Sequence, residues 1–198
     1  MGIGRLHVYG RPMQKMIIAM LACCAVASPA CAEPNLEKGF DGALRGCEEW
    51  VLNPASWAEG TESFIRTVGL GGQMVLVDRV EEVNLPPPEL RRANRYWRIN
   101  STPDAGYVLV VSDQLPMCHI TGGGSVDLEP SVESVLASDD FKRRWQLGKT
   151  TIKNGMATTV FRNREEPDFS IAISRADKPD RRLDRVQVVA TAFYEVNS

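Results

Sequence analysis

Histidine is almost missing from this chain. Its 198 residues include only His7 and His119, and only His119 lies outside an N-terminal segment that reads as a targeting signal. Zinc needs three or four ligands at recognisable spacings, and no His/Cys cluster offers them. Aspartate-rich calcium loops are missing too. Positive charge is not in excess: 23 Lys and Arg stand against 25 Asp and Glu, for a formal charge of −2. That balance argues against a nucleic-acid partner. The glycines carry neither the P-loop Lys-Ser/Thr nor dinucleotide spacing, and Ser125 lacks the G-x-S-x-G setting of a hydrolase elbow. No internal repeat or low-complexity tract is present. The expectation is a chain with no cofactor, no metal and no catalytic constellation.

What the N-terminus does contain is a signal-peptide pattern. Arg5, Arg11 and Lys15 precede the apolar run Met16 to Ala27, and Ala30-Cys31-Ala32 is an A-x-A cleavage site followed by Glu33. The run is too short to cross a bilayer, which takes about 20 residues. The expected division is a cleaved signal over residues 1–32, with cleavage between Ala32 and Glu33, and one domain over residues 33–198. A start at Met13 rather than Met1 would give a more typical basic region. Met20-Leu21-Ala22-Cys23 also resembles a lipobox, which would leave the protein lipid-anchored through Cys23. Residues 1–32 hold three basic residues and no acid, so their removal takes the charge from −2 to −5. The expected location is periplasmic or secreted, with no transmembrane segment in the mature chain.

Export also decides the cysteine chemistry. Cys23, Cys24 and Cys31 leave with the signal, and Cys47 and Cys118 remain. Two thiols in an oxidising compartment predict one disulfide. Leu36, Phe40, Leu44, Cys47 and Val51 recur every three to four residues, so Cys47 belongs to the apolar stripe of a first helix. Asn35 is a candidate cap for that helix, and Asn53-Pro54 ends it. Gly39, Gly42 and Gly46 form a second stripe suited to close approach of another element. A second helix is expected from about Ser56 to Val68. Gln73 to Val77 reads as a short strand, and Pro86-Pro87-Pro88 as a stiff connector.

The stretch from Tyr96 to Gly124 predicts a three-stranded meander. Trp97 and Ile99 alternate with Arg98 and Asn100, as in a half-buried strand. Tyr107 to Val111 is apolar on both faces, which suits a central strand. Met117 to Thr121 sends Cys118 and Ile120 one way and Met117 and His119 the other. Pro130 opens a third helix, Ser138 can cap a further turn anchored by Phe141 and Trp145, and Asn154-Gly155 marks a hairpin. Phe169, Ile171 and Ile173 alternate in another strand, a charged turn covers Asp177 to Arg182, and Val186 to Tyr194 closes the chain as a strand. Strand runs set apart from helices predict an α+β fold: a mainly antiparallel sheet of about six or seven strands with helices on one face.

The candidate contact residues are Arg95, Trp97, His119, Gly122 and Gly123. Arg91, Arg92, Arg95 and Arg98 form a basic cluster suited to an acidic ligand or partner. Gly122 to Gly124 can present backbone N–H groups to an anion, or connect a strand to a helix. Cys118 and His119 are strand neighbours and point to opposite faces, so they cannot act as a thiol and its base. The functional expectation is a non-enzymatic binding or envelope-accessory domain for a protein or small-molecule ligand. A small hydrolase using His119 or a carboxylate pair, and an inhibitor or immunity-type protein, are the alternatives.

Overall fold

The computed structural model describes residues 1, 2, 32–177 and 186–194. The targeting run, the lipobox cysteine Cys23 and most of the expected turn at Asp177 to Arg182 lie outside the described residues.

Helix α1 covers Pro34–Leu52. Its cap is Glu33, not Asn35: the Glu33 carboxylate accepts from the Leu36 N–H at 2.8 Å, while Asn35 Nδ2 donates to Glu33. Pro34, fixed in φ and lacking an N–H, suits the first helical position. The stripe Leu36, Phe40, Leu44, Cys47 is buried, and Trp50 joins it. The single helix expected over 56–68 is broken. α2 spans Ala55–Ala58 and α3 spans Thr61–Val68, because Gly60 between them sits at φ 110°, where a helix cannot continue.

Among the described residues eight strands form one antiparallel sheet: β1 Met74–Val77, β2 Asn94–Ile99, β3 Ala105–Ser112, β4 Cys118–Gly124, β5 Trp145–Lys153, β6 Met156–Asn163, β7 Phe169–Ala176 and β8 Val188–Tyr194. Their order is β1-β2-β3-β4-β8-β7-β6-β5. Two meanders are thus joined in the middle, where β8 pairs with β4 and seals the sheet. The count exceeds the expected six or seven because every strand-like run joins the one sheet, the short run at Gln73 to Val77 included as the edge strand β1. Helices α4 Glu129–Ala137 and α5 Asp139–Arg144 lie between the meanders. Ser138 caps α5, accepting from the Phe141 N–H at 3.1 Å.

One sheet face carries Trp97, Ile99, Leu109, Cys118, Ile120, Ile171 and Ile173, all buried. α1 lies across it over β3 and β4. The glycine stripe makes that approach possible: a Cβ at Gly39 would stand 1.9 Å from Ser101 Oγ, and one at Gly46 would stand 2.9 Å from Leu109 Cδ2. Cys47 and Cys118 are joined as a disulfide across this interface. Aromatic pairs extend the core in both directions, from Trp50–Phe64–Trp97 to Phe161–Phe141–Trp145–Phe169.

The opposite face is covered over its centre by a connection rather than a helix. Residues 78–93, between β1 and β2, reach back as far as β4, where Thr121 Oγ1 donates to Asn84 Oδ1 at 2.7 Å. Within this segment Pro86 is buried. Arg91 braces it, donating from Nε to the Pro86 carbonyl at 2.7 Å and pairing with Glu82 at 2.8 Å.

Candidate functional site

A cleft of about 730 Å³ opens where that connection meets the ends of β2, β3 and β4. Arg98 reaches it through simple alternation. Its neighbours Trp97 and Ile99 are buried on the helix side, so the pleat turns Arg98 to the opposite face. The guanidinium is exposed and makes no ion pair or hydrogen bond among the described residues. Two of the other clustered arginines are engaged elsewhere. Arg91 pairs with Glu82, and Arg95 pairs with Asp113 at 2.9 Å while lying 5.7 Å from the Trp50 ring centroid. Glu81 lines the same cleft as Arg98, and no ion pair joins them. The described lining therefore offers one charge of each sign, together with the polar side chains of Asn84, Asn100 and Thr102.

Local hydrogen bonds hold its rims. Thr102 Oγ1 accepts from the N–H groups of Asp104 and Ala105, fixing the β2–β3 turn. Gln187, buried just before β8, pins the segment after β4: its Nε2 donates to the carbonyls of Gly124 at 3.1 Å and Val126 at 2.8 Å, and its Oε1 accepts from the Leu128 N–H at 2.9 Å. Gly122 to Gly124 are not a loose connector. They are the last residues of β4, paired with Tyr107, Gly106 and Ala105. Gly124 takes φ +142°, and a Cβ there would stand 2.2 Å from the Asp104 carbonyl oxygen. Glycine is what brings this strand end flush against the turn.

The sequence-selected residues separate on folding. Gly123 lines the cleft. Gly122 packs under Tyr107 and Val188, where a Cβ would stand 2.6 Å from each. Trp97 is wholly enclosed between the sheet and α3, against Phe64. Arg95 stands beside Asp113, away from the cleft lining. His119 is 5% exposed on the cleft side of the sheet, two residues along β4 from Thr121, and its Nδ1 lies 2.8 Å from Thr191 Oγ1. Burial lowers its pKa to about 4, so the imidazole is neutral near pH 7. Among the described residues no carboxylate or thiol is hydrogen-bonded to it. Cys118, as half of a disulfide, has no thiolate to offer. Among the described residues no three His, Cys, Asp or Glu converge as metal ligands, and no helix is long and apolar enough to cross a membrane.

Sequence reasoning reached Arg98 and Gly123 but missed Asn84, Thr102, Glu81 and Gln187. Coil polar residues carry no periodicity, and their convergence depends on where the 78–93 connection lands. No protein-family model matches the chain, and no curated protein or solved structure matches it either.

Proposed function

We propose that this protein is an exported, non-enzymatic binding domain that takes a small polar ligand with an anionic group against Arg98. The carrying observation is the unpaired Arg98 guanidinium in a cleft of about 730 Å³ with pinned rims. A guanidinium presents a planar fork of donors suited to carboxylate or phosphate. Rims already held by Gln187 and by the Asn84–Thr121 bond need little ordering when a ligand arrives. Glu81 favours ligands that also bear a cation, so a zwitterion fits better than a simple anion. Export is supported by the basic, apolar and small-residue order before Glu33 and by the disulfide, a bond of oxidising compartments.

The test is calorimetric screening of the chain from Glu33 onward against amino acids, dicarboxylates and sugar phosphates, with Arg98→Gln beside it. Loss of a charge-assisted hydrogen bond costs about 1.5–3 kcal/mol, so affinity should drop at least tenfold. Arg95→Gln, beside Asp113 and outside the cleft lining, should leave binding within threefold. Binding indifferent to Arg98→Gln would overturn the reading. Turnover of any screened compound that disappears in His119→Ala would replace it with a hydrolase.

A further inference from the structure

At the far edge of the sheet from β1, the nine-residue strand β5 has only one neighbour among the described residues, β6. Eight of its nine residues are exposed, and Leu147 and Ile152 are each 66% exposed. Its outward-facing N–H and C=O groups form an open template for another strand. Next to this edge lies a groove of about 410 Å³, on the helix side of the sheet. Leu136 of α4, Phe141 of α5, and Trp145, Leu147 and Phe161 of the sheet give it an apolar lining.

A β-bulge joins these two features. The register between β5 and β6 shifts between Leu147 and Thr150, so that Leu147 pairs with Phe161 and Thr150 with Thr159. Residues three apart in a regular strand face opposite sides. The bulge turns both Leu147 and Thr150 to the groove, which both line. A strand laid along β5 would place alternate side chains beside them, over the groove.

Charge decides the occupant. β5 and β6 contain Lys149, Lys153 and Arg162 and no acid, in a chain whose formal charge is −2. Lys142 lines the groove as well. Lys142, Lys149 and Lys153 make no ion pair among the described residues. The one carboxylate in the groove lining, Glu133, is paired with Arg175. A second copy of β5 would bring lysines against lysines, which repels self-pairing. An acidic strand meets the opposite sign at Lys149 and Lys153.

We propose that β5 is a docking edge for an extended segment of a partner protein in which apolar residues alternate with acidic ones. The segment adds as a ninth, antiparallel or parallel strand, with its apolar side chains over the Leu147–Phe161 groove and its carboxylates toward Lys149 and Lys153. Main-chain bonds give affinity and the alternate side chains give selectivity, as in other strand-addition complexes. This inference is independent of the Arg98 cleft.

Two fluorescent probe peptides test it, one alternating Glu with Val and Ile and the other alternating Lys with the same residues. Saturable binding of the acidic probe below about 1 mM, with slowed amide exchange in residues 147–153, is the expected result. The lysine probe should bind at least tenfold more weakly. Lys149→Glu with Lys153→Glu should invert that order without unfolding the domain, checked by circular dichroism. N-methylation of alternate peptide amides should abolish binding. The proposal is overturned if the acidic probe does not bind, if N-methylation or charge reversal leaves its binding unchanged, or if β5 amides are protected by self-association instead.

Discussion

The Cα atoms of Cys47 and Cys118 stand 5.4 Å apart, one on the inward stripe of α1 and the other on the facing side of β4. Both side chains are fully buried, so the bridge ties the first helix to the middle of the sheet from inside the core. Residues 71 positions apart are thereby fixed in one interface.

Chain-entropy reasoning gives a loop of this length about 4 kcal/mol of stabilisation. Small domains have about 5–15 kcal/mol in total. The double variant Cys47→Ala with Cys118→Ala should therefore lower the unfolding free energy by about 4 kcal/mol, read from the midpoint of a urea titration. Intact mass without reductant should show no alkylatable thiol in the chain from Glu33 onward. Two reactive thiols would contradict the bridge.

Glu48 is another tie between α1 and the rest of the fold. Its carboxylate accepts from Arg144 of α5 and from Trp145 Nε1 at the start of β5, the latter at 2.8 Å. Burial raises its pKa, opposed by the attraction of Arg144 and the Trp145 bond. Glu48→Ala leaves a half-buried guanidinium and a buried indole N–H short of a partner and should cost about 2 kcal/mol. Glu48→Gln keeps an acceptor and should cost less. Arg144 retains Asp41 at 2.9 Å, which limits both losses. Urea midpoints for the two variants, with the slope unchanged, provide the check. Equal losses would mean that charge, not the acceptor, is what matters.

Acid sensitivity should trace in part to His119. Its pKa falls from an ordinary 6.5 to about 4 on burial. Between these values the unfolded chain binds the proton and the folded chain does not, so stability falls as pH falls. The contribution is complete above pH 6.5 and lost below about pH 4. At about 1.4 kcal/mol per unit, the loss is roughly 3 kcal/mol. His119→Gln should flatten the fall in urea midpoint across this range. An unchanged slope would assign the acid response to carboxylates. The same variant should leave ligand binding at the Arg98 cleft within tenfold, because the ring does not line it.

The local features of the fold were readable in order along the chain. Trp97 and Ile99 against Arg98 define the faces of β2. Asn154 and Gly155, at φ 52° and 79°, make the turn their dipeptide predicts. The Cys47–Cys118 bond followed from the expectation of export and from elimination. These depend on neighbours a few residues apart, or on counting, and so are written in sequence. The errors came where local pattern is weak. Gly60 cuts a helix whose apolar spacing continues past it, Glu33 caps in place of Asn35, and Trp145 passes from helix turn to strand.

What only the tertiary structure decided is which distant segments meet. The insertion of β8 beside β4 sets the sheet order, yet a strand's alternation does not name its partner. The landing of residues 78–93 on Thr121 creates the cleft and, among the described residues, leaves Arg98 without a counter-ion while Arg91 and Arg95 find theirs. Four arginines within eight positions look alike as a sequence. Their partners, Glu82 and Asp113, are supplied by a connection and a turn whose positions long-range packing fixes, and no period of 2 or 3.6 encodes that.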